Sequence, residues 1–193
     1  MSRHLLLFLL GQATLLMGAA MLAPFFYSLA RMTAEVPAFL ASLLIVMTAG
    51  EILSRLGRRH PPRMELLDAA ALLVLLWPLG AAVGAVPFFL SGALGPVDAL
   101  FESVSSLTST GISFLGADAP YSLLLWRSII AWLGSLSFVL MLVTVMPTVC
   151  GSFGLVLTYE YSLSFSPLLV RMKRSAWQAV RIYVALTAVS ALL

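Results

Sequence analysis

The stretch from Glu102 to Ser113 crowds polar groups between long apolar segments: Glu102-Ser103-Val104-Ser105-Ser106-Leu107-Thr108-Ser109-Thr110-Gly111-Ile112-Ser113. A lone carboxylate, a run of hydroxyls and a glycine lack the pairing of nucleophile and base that covalent catalysis needs. They suit another task. A dehydrated cation needs oxygens in place of its water, and backbone carbonyls supply them without a full negative charge to trap the ion. Thr108, Ser109, Thr110 and Gly111 can offer such carbonyls, with Ile112 at the edge. The glycine permits the backbone angle that turns carbonyls to one axis, and the hydroxyls can hold the strand from behind. The same string also fits an ordinary polar loop, and on residue types alone both readings stand.

Little else in the sequence offers chemistry. Cys150 is the single cysteine, so neither an intrachain disulfide nor a CxxC metal pair exists. His4 and His60 sit in basic flanks and make poor ligands or bases. GxSxG, Walker and GxGxxG motifs are absent. No catalytic residue, cofactor or structural metal is therefore expected, and the chain does not read as an enzyme.

The surroundings of that stretch follow from composition. Of 193 residues, 61% are hydrophobic and 10% charged, whereas a soluble domain is about one quarter charged. An all-α integral membrane protein is the reading that remains. Its net charge of +3, from 11 basic and 8 acidic residues, is too small and scattered for a nucleic-acid groove.

A helix needs about 20 mostly apolar residues to cross the hydrocarbon core. Five segments qualify: Leu5 to Ala30, about Pro37 to Leu53, Leu66 to Leu90 with Pro78 and Pro87 inside, about Leu123 to Met146 ending at Pro147, and one from Ala176 that is still apolar at Leu193. The first is too long for a secretory h-region and reads as a retained helix. Basic residues favour the cytoplasmic side. With the N-terminus inside, Arg3, the cluster Arg55, Arg58, Arg59 and Arg63, and Arg171, Lys173 and Arg174 all lie inside, leaving Arg31 and Arg127 outside. The reverse orientation exposes all of the former. The chain from Ser91 to Ser122 is then an external connection.

That connection opens with turn formers, Ser91 to Pro96, and continues from Val97 to Leu107 as a helix of about three turns, too short to span. Polar residues around Gly111 follow, then the next long helix. Irregular backbone at membrane depth survives only where protein buries it or it lines a watery cavity. The layout is that of a re-entrant pore loop, with the negative end of the short helix aimed at the pore and Asp98 complementing or capping its start.

Several smaller features have local readings. Glu102 and Arg127, ionisable groups near the pore, read as a pair or as a brace for the pore helix; Arg127 as a marker of the outer interface is the plainer alternative. Glu51 is four residues from Arg55 on one helix face and reads as its partner. Phe25, Phe26, Tyr27 and Trp126 read as interfacial aromatics. Gly11, Thr14 and Gly18 share a face and read as a packing seam.

The string Glu102 to Gly111 resembles the E-S-x-S-G-L-T-T-T-G pore signature of the Trk/Ktr/HKT superfamily of potassium transporters, most closely the Trk-type membrane subunit. The likeness extends to Gly84-Ala85-Val86-Pro87-Phe88, which resembles G-A-x-P-F. It continues in Leu125-Trp126-Arg127-Ser128 with Trp132-Leu133-Gly134, similar to L-W-R-S and W-L-G-G, and in Arg171 to Ala176 with Ile182 to Thr187. It covers residues 60 to 193, while the first two helices match in number and place. Ser106, Ser109, Ser135 and Ser137 depart from the pattern.

The resemblance implies potassium uptake across the cytoplasmic membrane, with sodium a second candidate ion, through a filter of four strands of which this chain supplies one. It implies two extra helices in 1–60 and a first pore repeat in 61–147, comprising a helix at about 66–90, a pore helix at 97–107, a filter at 108–112 and a second helix at 123–147. A cytoplasmic connector then covers 148–175, and 176–193 begins a second repeat. The implied partners are the lipid bilayer, three further pore repeats, a second copy in a homodimer, and a cytosolic nucleotide-binding regulatory subunit. Ending inside an apolar run, the chain reads as the first part of a longer one. A homotetrameric cation channel and a non-transporting assembly subunit are the alternatives.

Overall fold

The computed structural model describes residues 3–57, 66–116, 118–154 and 165–192. Among them all regular structure is helical: α1 Arg3–Ala20, α2 Leu22–Ala30, α3 Val36–Gly57, α4 Leu66–Leu90, α5 Pro96–Leu107, α6 Tyr121–Gly154 and α7 Phe165–Leu192. Four described stretches are long and apolar enough to cross a membrane: His4–Ala30, Val36–Gly57, Ala71–Leu90 and Tyr121–Met141. Their outward faces are apolar, as Leu16, Leu44, Ile52 and Val74 show by lying more than half exposed. Water would not tolerate so much exposed hydrocarbon, and a bilayer does. The chain divides into two compact units, residues 1–132 and 133–193, and the first holds every residue of the candidate site.

The first apolar segment is two helices rather than one. Pro24 has no N–H for the Ala20 carbonyl, and its ring crowds that carbonyl. The chain turns at Met21, whose own N–H reaches both Met17 O and Gly18 O at 3.1 Å. Helix α2 ends in a Schellman motif: the N–H of Met32 bonds Leu29 O at 3.2 Å and that of Thr33 bonds Ser28 O at 3.1 Å. Met32 therefore occupies the left-handed region, at φ 50°.

The small residues of α1 do form a seam, against α3. A Cβ on Gly11 would stand 2.5 Å from Ser54 N and 2.8 Å from Gly50 O, and one on Gly57 would stand 2.3 Å from Phe8 N. Backbone thus meets backbone, the close approach that small residues allow in membrane helices. Thr14, 1% exposed, bonds its own helix at Leu10 O, and Gln12 donates to Ser54 Oγ at 3.1 Å. At the end of α3, Arg55 Nε bonds Glu51 Oε1 at 2.7 Å on an exposed face. Arg58, Arg59, His60 and Arg63 lie outside the described residues.

Two boundaries lie well away from those read in the sequence. Helix α6 runs through Pro147 to Gly154, since neighbouring groups let membrane helices carry a proline. Helix α7 starts at Phe165 rather than near Ala176; Pro167 falls in its first turn, where a missing N–H costs nothing. The connector at 148–175 is thus helical at both ends, and its middle, 155–164, lies outside the described residues. The apolar run from Ala176 is interrupted by Arg181 and is not among the four stretches long and apolar enough to span.

Candidate functional site

Helix α5 is framed at its start by Gly95 in an extended conformation and Pro96, with Asp98 in the first turn and no side-chain cap. Of the two roles open to Asp98, charge complementing the helix dipole is the one the geometry leaves. The helix stops at Leu107, and Thr108, at φ −86°, is its C-cap. A second Schellman motif closes it: the N–H of Ser109 bonds Ser106 O at 3.0 Å and that of Thr110 bonds Ser105 O at 2.9 Å.

From here the backbone alternates. Thr108 has negative φ, Ser109 sits at φ 55°, Thr110 is not among the positive-φ residues, and Gly111 sits at φ 86°. This departs from a strand, in which every residue is extended and successive side chains point to opposite faces. Glycine at 111 answers the angle rather than crowding, because a Cβ there would meet nothing within 4 Å. The Thr108 hydroxyl bonds back to Val104 O at 2.8 Å and lies 2.7 Å from the Thr110 hydroxyl.

The chain then returns along α5 and is tied to it. Ser105 Oγ donates to Ile112 O. Glu102, fully buried, accepts Ser113 Oγ at 2.8 Å and Arg127 Nε at 2.6 Å on one oxygen, and the Phe114 N–H at 2.7 Å on the other. A buried carboxylate with three donors is well satisfied. Arg127, from α6, also donates Nη2 to Gly111 O at 3.1 Å. Phe114 packs on Phe101 with ring centroids 4.7 Å apart.

Helix α6 is seated by Trp126. The sequence reading made it an interfacial aromatic. It is instead wholly buried, its indole N–H donating to Gly84 O at 2.9 Å. A Trp with both its ring and its N–H satisfied inside the protein has no need of the interface. Gly84 is the hub of three helices, since a Cβ on it would stand 2.3 Å from Ser103 Oγ of α5 and 3.1 Å from Ile130 Cδ1 of α6.

The structure thus brings Thr108, Ser109, Thr110, Gly111 and Ile112 into one turn, with Glu102 and Arg127 behind it. Ser105 and Ser113 tie the chain after that turn back to α5 with their hydroxyls, ties of the kind the hydroxyls of this stretch suggest in the sequence, while Trp126 acts one step away by seating α6 on α4. Glu102 and Ser113 stand eleven residues apart with a chain reversal between them, a separation that no helix or strand period flags. Among the described residues no group of His, Cys, Asp and Glu could hold a metal ion.

No family model matches the chain. A Trk system potassium uptake protein TrkH of Halomonas elongata is 31% identical over the whole chain, which spans 41% of that relative. TrkH of Salmonella typhimurium is 29% identical over 72% of the chain and 30% of its own length. The crystal structure of the potassium transporter TrkH from Vibrio parahaemolyticus superposes with a TM-score of 0.80 at 23% identity, covering 98% of this chain and 38% of that one. At that identity the superposition speaks for the fold, and the sequence match speaks for kinship. In sequence the chain is thus similar to the Trk-type potassium transporter membrane subunits, less than half of whose length it spans, and over that part it shares the fold of the solved one.

Proposed function

We propose that this chain contributes one of four filter strands to a Trk-type transporter that takes up potassium across the cytoplasmic membrane. The observation that carries the reading is the backbone from Thr108 to Gly111. Its alternating φ suits carbonyls gathered toward one axis, and it follows directly on the C-terminal end of α5, whose dipole favours a cation. The strand is too short to surround an ion, so three further pore repeats complete the ring.

In this reading α1 with α2, and α3, are the extra N-terminal spans, and α4, α5 and α6 are the helix, pore helix and helix of the first repeat. The part of α7 from Ala176 opens the second. The N-terminus is cytoplasmic, because that choice keeps most of the basic residues inside. The names of the relatives support potassium as the ion, and sodium is the competitor to test. A homodimer with a cytosolic nucleotide-binding regulatory subunit belongs to the same proposal through family likeness.

The test joins residues 1–193 to the remainder of the Halomonas elongata relative and expresses the full-length protein in cells lacking potassium uptake. Growth at low potassium and rubidium uptake should be restored. Gly111→Asp should abolish both, since a side chain at φ 86° is strained and a carboxylate beside the carbonyls traps the ion. Normal uptake by the Gly111→Asp protein would overturn the assignment.

A further inference from the structure

The guanidinium of Arg127 does two jobs. Its Nε is fixed by the buried Glu102 carboxylate at 2.6 Å, and the same plane carries Nη2 to within 3.1 Å of Gly111 O. The planar fork of arginine couples these two bonds, so the carboxylate aims the second N–H. Glu102 has no exposed surface and also grips Ser113 and Phe114, leaving the pair little freedom to swing away. Gly111 O is therefore the acceptor both of a positively charged donor and, on the reading above, of a dehydrated cation. Glu102 neutralises the arginine overall, but the positive end of the pair is the one that lies against the carbonyl.

We propose that Arg127 sets ion affinity, weakening cation binding at the Gly111 end of the filter strand and keeping the ion loosely held where it must leave or enter. A carbonyl that already accepts a charged N–H has less electron density for an ion, and a fixed positive charge close by repels that ion directly. This inference rests on Thr108 to Gly111 being an ion path. It adds that the pair behind the strand tunes affinity as well as shape.

The experiment uses the same full-length fusion and measures rubidium uptake against concentration. Glu102→Gln with Arg127→Gln together remove both charges and leave an uncharged amide with one acceptor and one donor group at each position. The double variant should lower the half-saturating concentration about three- to tenfold. Arg127→Lys keeps the positive charge but loses the planar fork that serves Glu102 and Gly111 O together, so its half-saturating concentration should fall between those of the parent and the double variant. A purely structural brace predicts the contrary pattern, a lower maximal rate with the half-saturating concentration unchanged, and that result overturns the proposal. Where the double variant does not transport, the potassium concentration giving half-maximal protection against heat in detergent replaces uptake. A lowered midpoint supports the proposal, and an unchanged one overturns it. Gly111→Asp separates the two levels: its full activity sinks the ion path itself, while its silence beside an unaltered double variant sinks only the role given to Arg127.

Discussion

Glu102→Ala is the sharpest probe of how the turn after α5 is held. The substitution deletes an acceptor for Ser113 Oγ, the Phe114 N–H and Arg127 Nε. Removing one partner of a buried ion pair costs about 3–5 kcal/mol. Arg127 keeps 27% of its side-chain surface exposed and can recover some hydration, which points to the lower end, about 3 kcal/mol. Glu102→Gln retains one acceptor oxygen and should cost less, about 1–2 kcal/mol. Thermal unfolding of the chain in detergent, followed by circular dichroism, ranks the three proteins, and hydrogen exchange on peptides covering 110–116 locates the damage. The Phe114 amide should exchange faster in the Ala variant while α1 and α3 stay protected. An Ala variant with the parent's midpoint and the parent's exchange at Phe114 would refute the view that this carboxylate anchors the turn.

Two further predictions concern packing. Gly84→Ala drives a Cβ to 2.3 Å from Ser103 Oγ and should lower stability by about 1–3 kcal/mol. Ser103 Oγ is buried with no hydrogen-bond partner, so Ser103→Ala should be neutral or stabilising and should rescue Gly84→Ala, as thermal midpoints in detergent would report. Gly11→Val sets a branched side chain against the backbone of α3 at Ser54 and Gly50, where nothing flexible can yield. It should lower the midpoint more than Gly18→Val, which meets the pliable side chain of Met47.

What the sequence made legible is what local patterns encode. Apolar run length marked Leu66 to Leu90, the limits observed for α4, and turn formers around Pro96 marked the start of α5 to within a residue. The four-residue spacing of Glu51 and Arg55 gave their contact. Helix ends were harder where the left-handed residue was not glycine, since Met32 and Ser109 carry no such signal. Trp126 was misplaced because a Trp near the end of an apolar run looks the same whether its N–H meets water or Gly84 O, 42 residues earlier. Gly111 and Arg127 could be singled out separately, but only the fold sets a guanidinium against that carbonyl. Chain reversals and contacts between helices have no period to read.

A ribosome delivers α1, α2 and α3 to the bilayer before α4 has left its tunnel. The seam at Gly11, Gly50 and Gly57 uses only those first helices, so the hairpin needs nothing downstream to close. By the time Gly80 arrives, Met17 is already in place to meet it, Sδ lying 3.8 Å from where a Cβ would sit. Helices α1 and α3 can thus form, without α4, the surface on which α4 and the segment that carries the turn at Thr108 come to rest.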